Sequence, residues 1–370
     1  MIEYPRARAA VALVVVASLG WACQPAVTAS PTAGPPTTGP TAAQATPPAT
    51  QPPGSAEASA AASTAPAGPL TFTVQTYPVP NGAHPHDIAV ASDGGVWYTG
   101  QHNETLGWLD PATGEVREVD LGSGAAPHGV ITGPDGAAWV TDQGLDAIVR
   151  VTPGDFEVTV FPMPASARGT AVHTGVFDHD GILWFTGQRG IVARLDPATG
   201  EIEAFDTPRG GGPYGIAVTP SNDVWFVSLA ASYLGKVDKS TGDITVVDPP
   251  TPASGTRRVW SDSTGRLWVS YWNAGMVAVY DPADGSWQEW DLPGGGNQAY
   301  SIYVDELDAV WLTDFGQNAI VRFDPVTETF ESFESTRSNA AVRQMLGRPG
   351  EAWGAESGVD RLVVVRYAPG

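Results

Sequence analysis

Residues suited to proton transfer and anion binding recur at one offset in this chain. Eleven residues before each of seven tryptophans stand His86, His128, His173, Tyr214, Arg257, Tyr300 and Val342, and Arg343 follows the last. Imidazoles and phenols exchange protons, and guanidinium groups bind carboxylates or a developing oxyanion through charge-assisted hydrogen bonds. A second set follows the same tryptophans: Gln101, Gln143, Gln188, Leu229, Trp272, Phe315 and Glu356. Amides and a carboxylate on one side with aromatics on the other describe a pocket with a polar and an apolar wall. Both sets are scattered along the chain, so they can act together only if the fold gathers them.

The tryptophans supply that fold. Trp97, Trp139, Trp184, Trp225, Trp268, Trp311 and Trp353 lie 42, 45, 41, 43, 43 and 42 residues apart. A period of about 40–45 residues with several short strands per unit marks the blades of a β-propeller. Residues 127–142, PHGVITGPDGAAWVTD, show the unit: an apolar run, a Gly/Asp/Pro turn, then a Trp-centred run. A polar turn and an alternating run come next, then a punctuation such as Asp110-Pro-Ala-Thr-Gly114 or Asp196-Pro-Ala-Thr-Gly200. Runs of Val, Ile, Trp, Phe and Thr between turn residues are strands, and Asp-Pro-x-Thr-Gly is a hairpin turn in which Pro presets φ and Gly takes a positive one.

The expected fold is therefore all-β: seven blades of four strands, with outer strands at 115–121, 201–206, 243–247, 286–292 and 329–333. The last unit ends at a strand over 361–367 and lacks a fourth. Residues 71–77 resemble an outer strand, so they are expected to pair into the seventh blade and close the ring. Each repeating tryptophan is read as cement between blades. The inner strand of a propeller blade starts at the mouth of the central channel, which turns the offset of eleven into a ring of side chains. A lone histidine there can simply bond a neighbouring blade's carbonyl. Three in succession, with two tyrosines and two arginines, point to a shared ligand site. His179, beside Asp180-Gly181, is expected to face solvent. His84 and His86, with Glu356 from the adjacent seventh blade, could hold a divalent ion.

Composition sets the partners. Of 370 residues, 19 are Lys or Arg and 40 are Asp or Glu, for a net charge of −21. No basic stripe is present, which argues against nucleic acid. Residues 1–23 carry Arg6 and Arg8 before an uncharged apolar run and read as an export signal. Cys23, the single cysteine, stands where a lipoprotein signal places its acylated residue; it is either the lipid anchor or is lost with the leader. Residues 24–69, rich in Pro, Thr, Ala and Ser, cannot bury enough apolar surface to order themselves and form a tether, leaving 70–370 as the propeller. The expected product is an exported monomer, an envelope lipoprotein or secreted, whose partner is a small molecule or peptide and whose only membrane contact is a lipid on Cys23.

The unit PHG(I/V)xxGPDGxxWxT followed by DPxTGE resembles the virginiamycin B lyase (streptogramin lyase) family of seven-bladed propellers, and more loosely NHL-like repeats, over about residues 71–370. The resemblance implies a carbon–oxygen lyase that opens cyclic depsipeptide antibiotics by elimination. In that family a ring histidine moves the proton and Mg2+ held by glutamates polarises the carbonyl. The family's catalytic histidines occupy the ring in the last two blades and a tyrosine occupies it in the first. Here those places hold Tyr300, Val342 or Arg343, and His86. One metal glutamate is matched by Glu356, whereas Ala340 or Ala341 stands at the other. His128, His173 and Tyr214 repeat the His-His-Tyr order in rotated blades.

Two readings follow. In the first, a lyase-like site uses His86 or His128 for proton transfer, with His173 and Tyr214 in the same catalytic set. Arg257, Arg343 and Tyr300, with Gln101, Gln143, Gln188 and Trp272, then bind the ligand, and His84 and Glu356 hold the metal. In the second, a surface-tethered propeller without chemistry uses the same ring to hold a peptide, sugar or anionic metabolite.

Overall fold

The computed structural model describes residues 69–370; the leader, Cys23 and nearly all of the tether lie outside the described residues. Twenty-eight strands form seven four-stranded antiparallel sheets, and the only helical elements among the described residues are two three-residue turns. Six blades run through the chain in order, from innermost strand to outermost. Blade 1 comprises β2 (Pro85–Val90), β3 (Val96–Gly100), β4 (Thr105–Leu109) and β5 (Val116–Asp120). Blades 2 to 6 follow over residues 127–162, 172–206, 213–247, 256–291 and 299–334.

Blade 7 differs, because its sheet order is β26 (Val342–Arg348), β27 (Glu351–Glu356), β28 (Arg361–Pro369) and then β1 (Leu70–Pro78). The expected closure is thus present, and it is longer than 71–77, since β1 pairs with β28 from Leu70↔Pro369 to Pro78↔Arg361. Asp360 fastens the chain beyond it: its carbonyl accepts from Val79 N, and its carboxylate accepts from Gly82 N at 3.0 Å and His84 N at 2.8 Å. The outer strands fall within two residues of the expected bounds, because hairpin turns end them. In the first such turn the Asp110 carboxylate accepts from Ala112 N and the Asp110 carbonyl from Gly114 N, each at 2.8 Å.

The repeating tryptophans are 0–3% exposed, and several touch aromatics of the next blade, whereas Trp184 stacks on Phe205 of its own. Trp139 meets Phe177, Trp225 meets Tyr280, Trp268 meets Phe323 and Trp311 meets Tyr367, with ring centroids 5.5–5.9 Å apart. Trp353 stacks on Tyr77 of β1 in its own blade at 5.5 Å, so this tryptophan helps to hold the closing strand.

Two repeated devices place the inner strands. Every innermost strand shifts register near its start, for example between Pro85 and Ile88 and between Pro127 and Gly129. Such bulges re-aim a side chain, and the residue re-aimed here is the ring residue. Two residues after the tryptophan, a hydroxyl then holds the bulge. Thr99 Oγ1 accepts from Asp87 N at 3.0 Å and donates to His128 O in the next blade at 2.9 Å. Thr141 accepts from Gly129 N and donates to His173 O; Thr186 accepts from Thr174 N and donates to Tyr214 O. Ser270 repeats both bonds with Arg258 N and Tyr300 O. Where blade 4 has Val227, Thr256 donates to Ser228 O instead. The close approach also explains the glycine of the PHG motif, since a Cβ at Gly129 would lie 2.5 Å from His173 O.

Deleting residues 70–80 should lower the melting temperature by about 10 °C or more, as loss of nine paired residues and the Tyr77–Trp353 stack requires. Differential scanning calorimetry of the truncated chain measures this, and an unchanged melt contradicts the closure.

Candidate functional site

The seven bulges bring the ring together. Imidazole centroids of His86 and His128 lie 3.9 Å apart, those of His128 and His173 3.9 Å, and His173 is 3.8 Å from Tyr214. Arg257 continues the ring: Nη2 donates to Tyr214 Oη, and its guanidinium lies 4.4 Å from the Tyr214 centroid and 3.9 Å from that of Tyr300. Tyr300 Oη is 3.4 Å from His86 Nε2, which closes the circle. Arg343 takes the seventh place. Its strand pairs Val342 with Glu356 and Leu346 with Trp353, as Pro85 and Ala89 pair with Gly100 and Trp97, and the hairpin between is one residue shorter, so Val342 stands where Pro85 stands and Arg343 where His86 does.

The flanking residues divide as the sequence suggests. Over the tyrosine–arginine half lie Trp272 and Phe315: Trp272 meets Tyr300 edge-on at 5.9 Å and Phe315 stacks on Tyr300 at 4.7 Å. Arg257 lies 4.5 Å from the Trp272 ring and Arg343 5.7 Å from Phe315. Gln101, Gln143 and Gln188 are half-buried at the same end of blades 1 to 3, where the second strand finishes against the start of the first.

The metal donors do not assemble as expected. Glu356 lies three residues after its tryptophan, so its register is that of Asp142 and Asp314 rather than of the glutamines. Its carboxylate accepts from Ser335 Oγ at 2.6 Å and from Arg361 Nε at 2.7 Å. His84, at φ 45°, turns its ring to Ser357 O at 3.2 Å and packs at a tilt against His102. The donor cluster found among the described residues is His86, Asp87 and His128. Its single carboxylate is shared with Arg258, and Mg2+ requires mostly oxygen ligands. The donor set therefore does not fit Mg2+.

Beneath the ring lies a layer that the offset of eleven does not reveal. Asp87, next to His86, accepts from Arg258 Nη2 at 3.3 and 3.4 Å, and Arg258 Nη1 reaches Thr174 Oγ1 at 2.7 Å. The pair crosses the axis between blades 5 and 1. These groups and Gln344 line a cavity of about 20 Å³, enough for about one water. Their sequence signal is the residue after each ring residue, which mixes glycines with charged and polar groups.

Electrostatics sets the protonation states. Burial above all holds His86 and His173 well below the ordinary 6.5, reinforced at His86 by Arg343, Arg258 and Arg257 and at His173 by His128 and then Arg258. His128 is held down by burial and then by His86. The three are neutral near pH 7. Arg257 is 9% exposed, and neither it nor Arg343 forms an ion pair among the described residues; Nε of each is buried without a hydrogen-bond partner. A buried unpaired guanidinium is costly, so the mouth is built to accept an anionic or strongly polarised group.

The sequence profile of the virginiamycin B lyase family matches residues 65–323. No curated protein sequence matches significantly. Among solved structures, virginiamycin B lyase from Staphylococcus aureus superposes with a TM-score of 0.74 at 22% identity, covering 80% of this chain and 99% of that one. A streptogramin B lyase gives 0.74 at 21% identity, covering 80% and 98%. A catalytically inactive variant of the S. aureus enzyme with quinupristin gives 0.73 at 23%, covering 80% and 99%.

The histidine states predict a pH-dependent stability. Above about pH 6.5 the imidazoles are neutral both folded and unfolded. Below it the unfolded chain takes up protons that the folded ring refuses, so stability falls as pH falls, by up to about 1.4 kcal/mol per pH unit for each histidine. Melting curves between about pH 7.5 and 5 should show this drop, and His128→Phe should reduce it. Parallel curves for the two proteins contradict the assignment.

Proposed function

The chain belongs to the virginiamycin B lyase family, and from that premise we propose that its channel mouth binds an ester of an apolar or aromatic acyl compound and cleaves its carbon–oxygen bond by elimination without a metal. The observation that carries this reading is the pair of guanidiniums with no ion-pair partner among the described residues, buried Arg257 and half-buried Arg343, on either side of Tyr300 under an aromatic shelf. Elimination at an ester develops negative charge first on the carbonyl next to the acidic carbon and then on the departing carboxylate. Two fixed guanidiniums serve those two charges, the work that a metal ion does elsewhere. Trp272 and Phe315 take the apolar part of the ligand, and the glutamines hydrogen-bond backbone-like amides on the opposite wall. Export through the leader, with display on the tether, belongs to the same proposal, as does action of the domain as a monomer.

A second reading, a non-catalytic receptor for a carboxylate, is favoured by one feature: the ring residues other than Arg343 are 0–9% exposed, so they make a closed floor. Incubation with virginiamycin B separates the two. Elimination should yield a linear product of unchanged mass, and a chelator should leave its rate unaltered. Recovery of the intact cyclic compound, with binding lost in Arg257→Met, would sink the lyase and leave the receptor. Arg343→Met should lower kcat/KM about 100-fold, the scale for losing one such donor, with the fold intact by calorimetry.

A further inference from the structure

We infer that Tyr300 is the proton-transfer group of this mouth and that Asp87 and His86 position it; this rests on the elimination reading. The Tyr300 phenol is the point where the two halves of the ring join. Its oxygen lies 3.4 Å from His86 Nε2, 3.4 Å from Tyr214 Oη and 3.5 Å from Arg343 Nη1. On the far side of His86, Nδ1 is 2.8 Å from the Asp87 carboxylate, which Arg258 holds in turn. A carboxylate at Nδ1 selects the tautomer that carries its proton there, so the Nε2 lone pair faces the phenol and accepts its O–H. Asp87, His86 and Tyr300 thus form a directed chain from channel to mouth.

The surroundings favour the phenolate. Guanidinium carbons of Arg257, Arg343 and Arg258 lie 3.9, 5.6 and 5.9 Å from the Tyr300 centroid, and the facing acid is Asp87 alone. Burial by itself raises the phenol, but the three arginines outweigh it and hold Tyr300 at about 8, below the ordinary 10.0. Tyr214 is displaced upward by burial and by its charged neighbour. His128 Nδ1 and His173 Nε2 are buried without partners, and among the described residues no carboxylate hydrogen-bonds either ring. The structure therefore supplies a better base in blade 6 than in the histidine half.

The step needs no reactant beyond the ligand, and solvent takes up the proton at its end. The phenolate oxygen takes the proton from the carbon next to the ligand's carbonyl. The C–H electron pair becomes the new C=C bond to the adjacent carbon, and that carbon's bond to the ester oxygen breaks. The carboxylate leaves with the bonding pair toward Arg343, and Tyr300 returns its proton to solvent. A ligand that engages Arg343 replaces the long 3.5 Å contact and brings its own atoms against the phenol.

Ultraviolet titration of tyrosinate in the whole chain tests this without any substrate. One tyrosine should ionise with a midpoint at about 8, and Tyr300→Phe, which keeps the ring stack, should remove that transition. Asp87→Asn should move the midpoint downward, because the carboxylate charge opposes the phenolate; a change in melting temperature with an unmoved midpoint overturns the positioning role. The inference fails if wild type and Tyr300→Phe titrate alike, or if Tyr300→Phe still converts virginiamycin B at the wild-type rate. A low midpoint in a wild type that turns nothing over overturns the elimination reading instead.

Discussion

A single hydroxyl two residues after the repeating tryptophan couples the scaffold of this propeller to its site. It accepts the backbone N–H of the bulge in its own blade and donates to the ring residue's carbonyl in the next. Each bond contributes only about 1 kcal/mol to stability. Their larger effect is geometric: the bulge is fixed, the ring side chain points to the axis, and adjacent inner strands approach so closely that a Cβ at Gly129 would clash. Imidazole centroids 3.8–3.9 Å from their neighbours follow from that spacing. The device joins blades 1 to 4 and 5 to 6, and the pairing of β1 with β28 closes the ring itself.

The seven blades were legible because each blade solves the same packing problem with the same residue, and a tryptophan between blades leaves a fixed period. The ring was legible for the same reason, down to Arg343, whose displacement by one residue reflects a hairpin one residue shorter between the first two strands of blade 7. What repeats poorly was not legible. The Asp87–Arg258 pair spans the channel between blades 171 positions apart in sequence, and neither residue belongs to a recurring pattern. Glu356 shows the opposite error. Proximity to its tryptophan suggested the pocket, but one residue of register turns it to Arg361 and Ser335. Spacing locates a backbone position, whereas charge partners decide what a carboxylate does there.

The site reverses the charge of the protein that carries it. A chain of net charge −21 gathers Arg257, Arg258 and Arg343 at one axis against Asp87 as the acid of the ring layers. Neutral histidines fill the other half and add no compensation. This imbalance persists because the surrounding aromatic faces stabilise the guanidiniums and because Tyr300 can supply a negative charge.

The central claim is that Arg257 and Arg343 form an uncompensated cationic pair open to an anion at the channel mouth. Anomalous diffraction from crystals grown in sodium bromide addresses it directly. The account predicts a bromide peak in contact with both guanidiniums, absent in Arg343→Met. A mouth without bromide, with both guanidiniums engaged by carboxylates of the same chain, would contradict it.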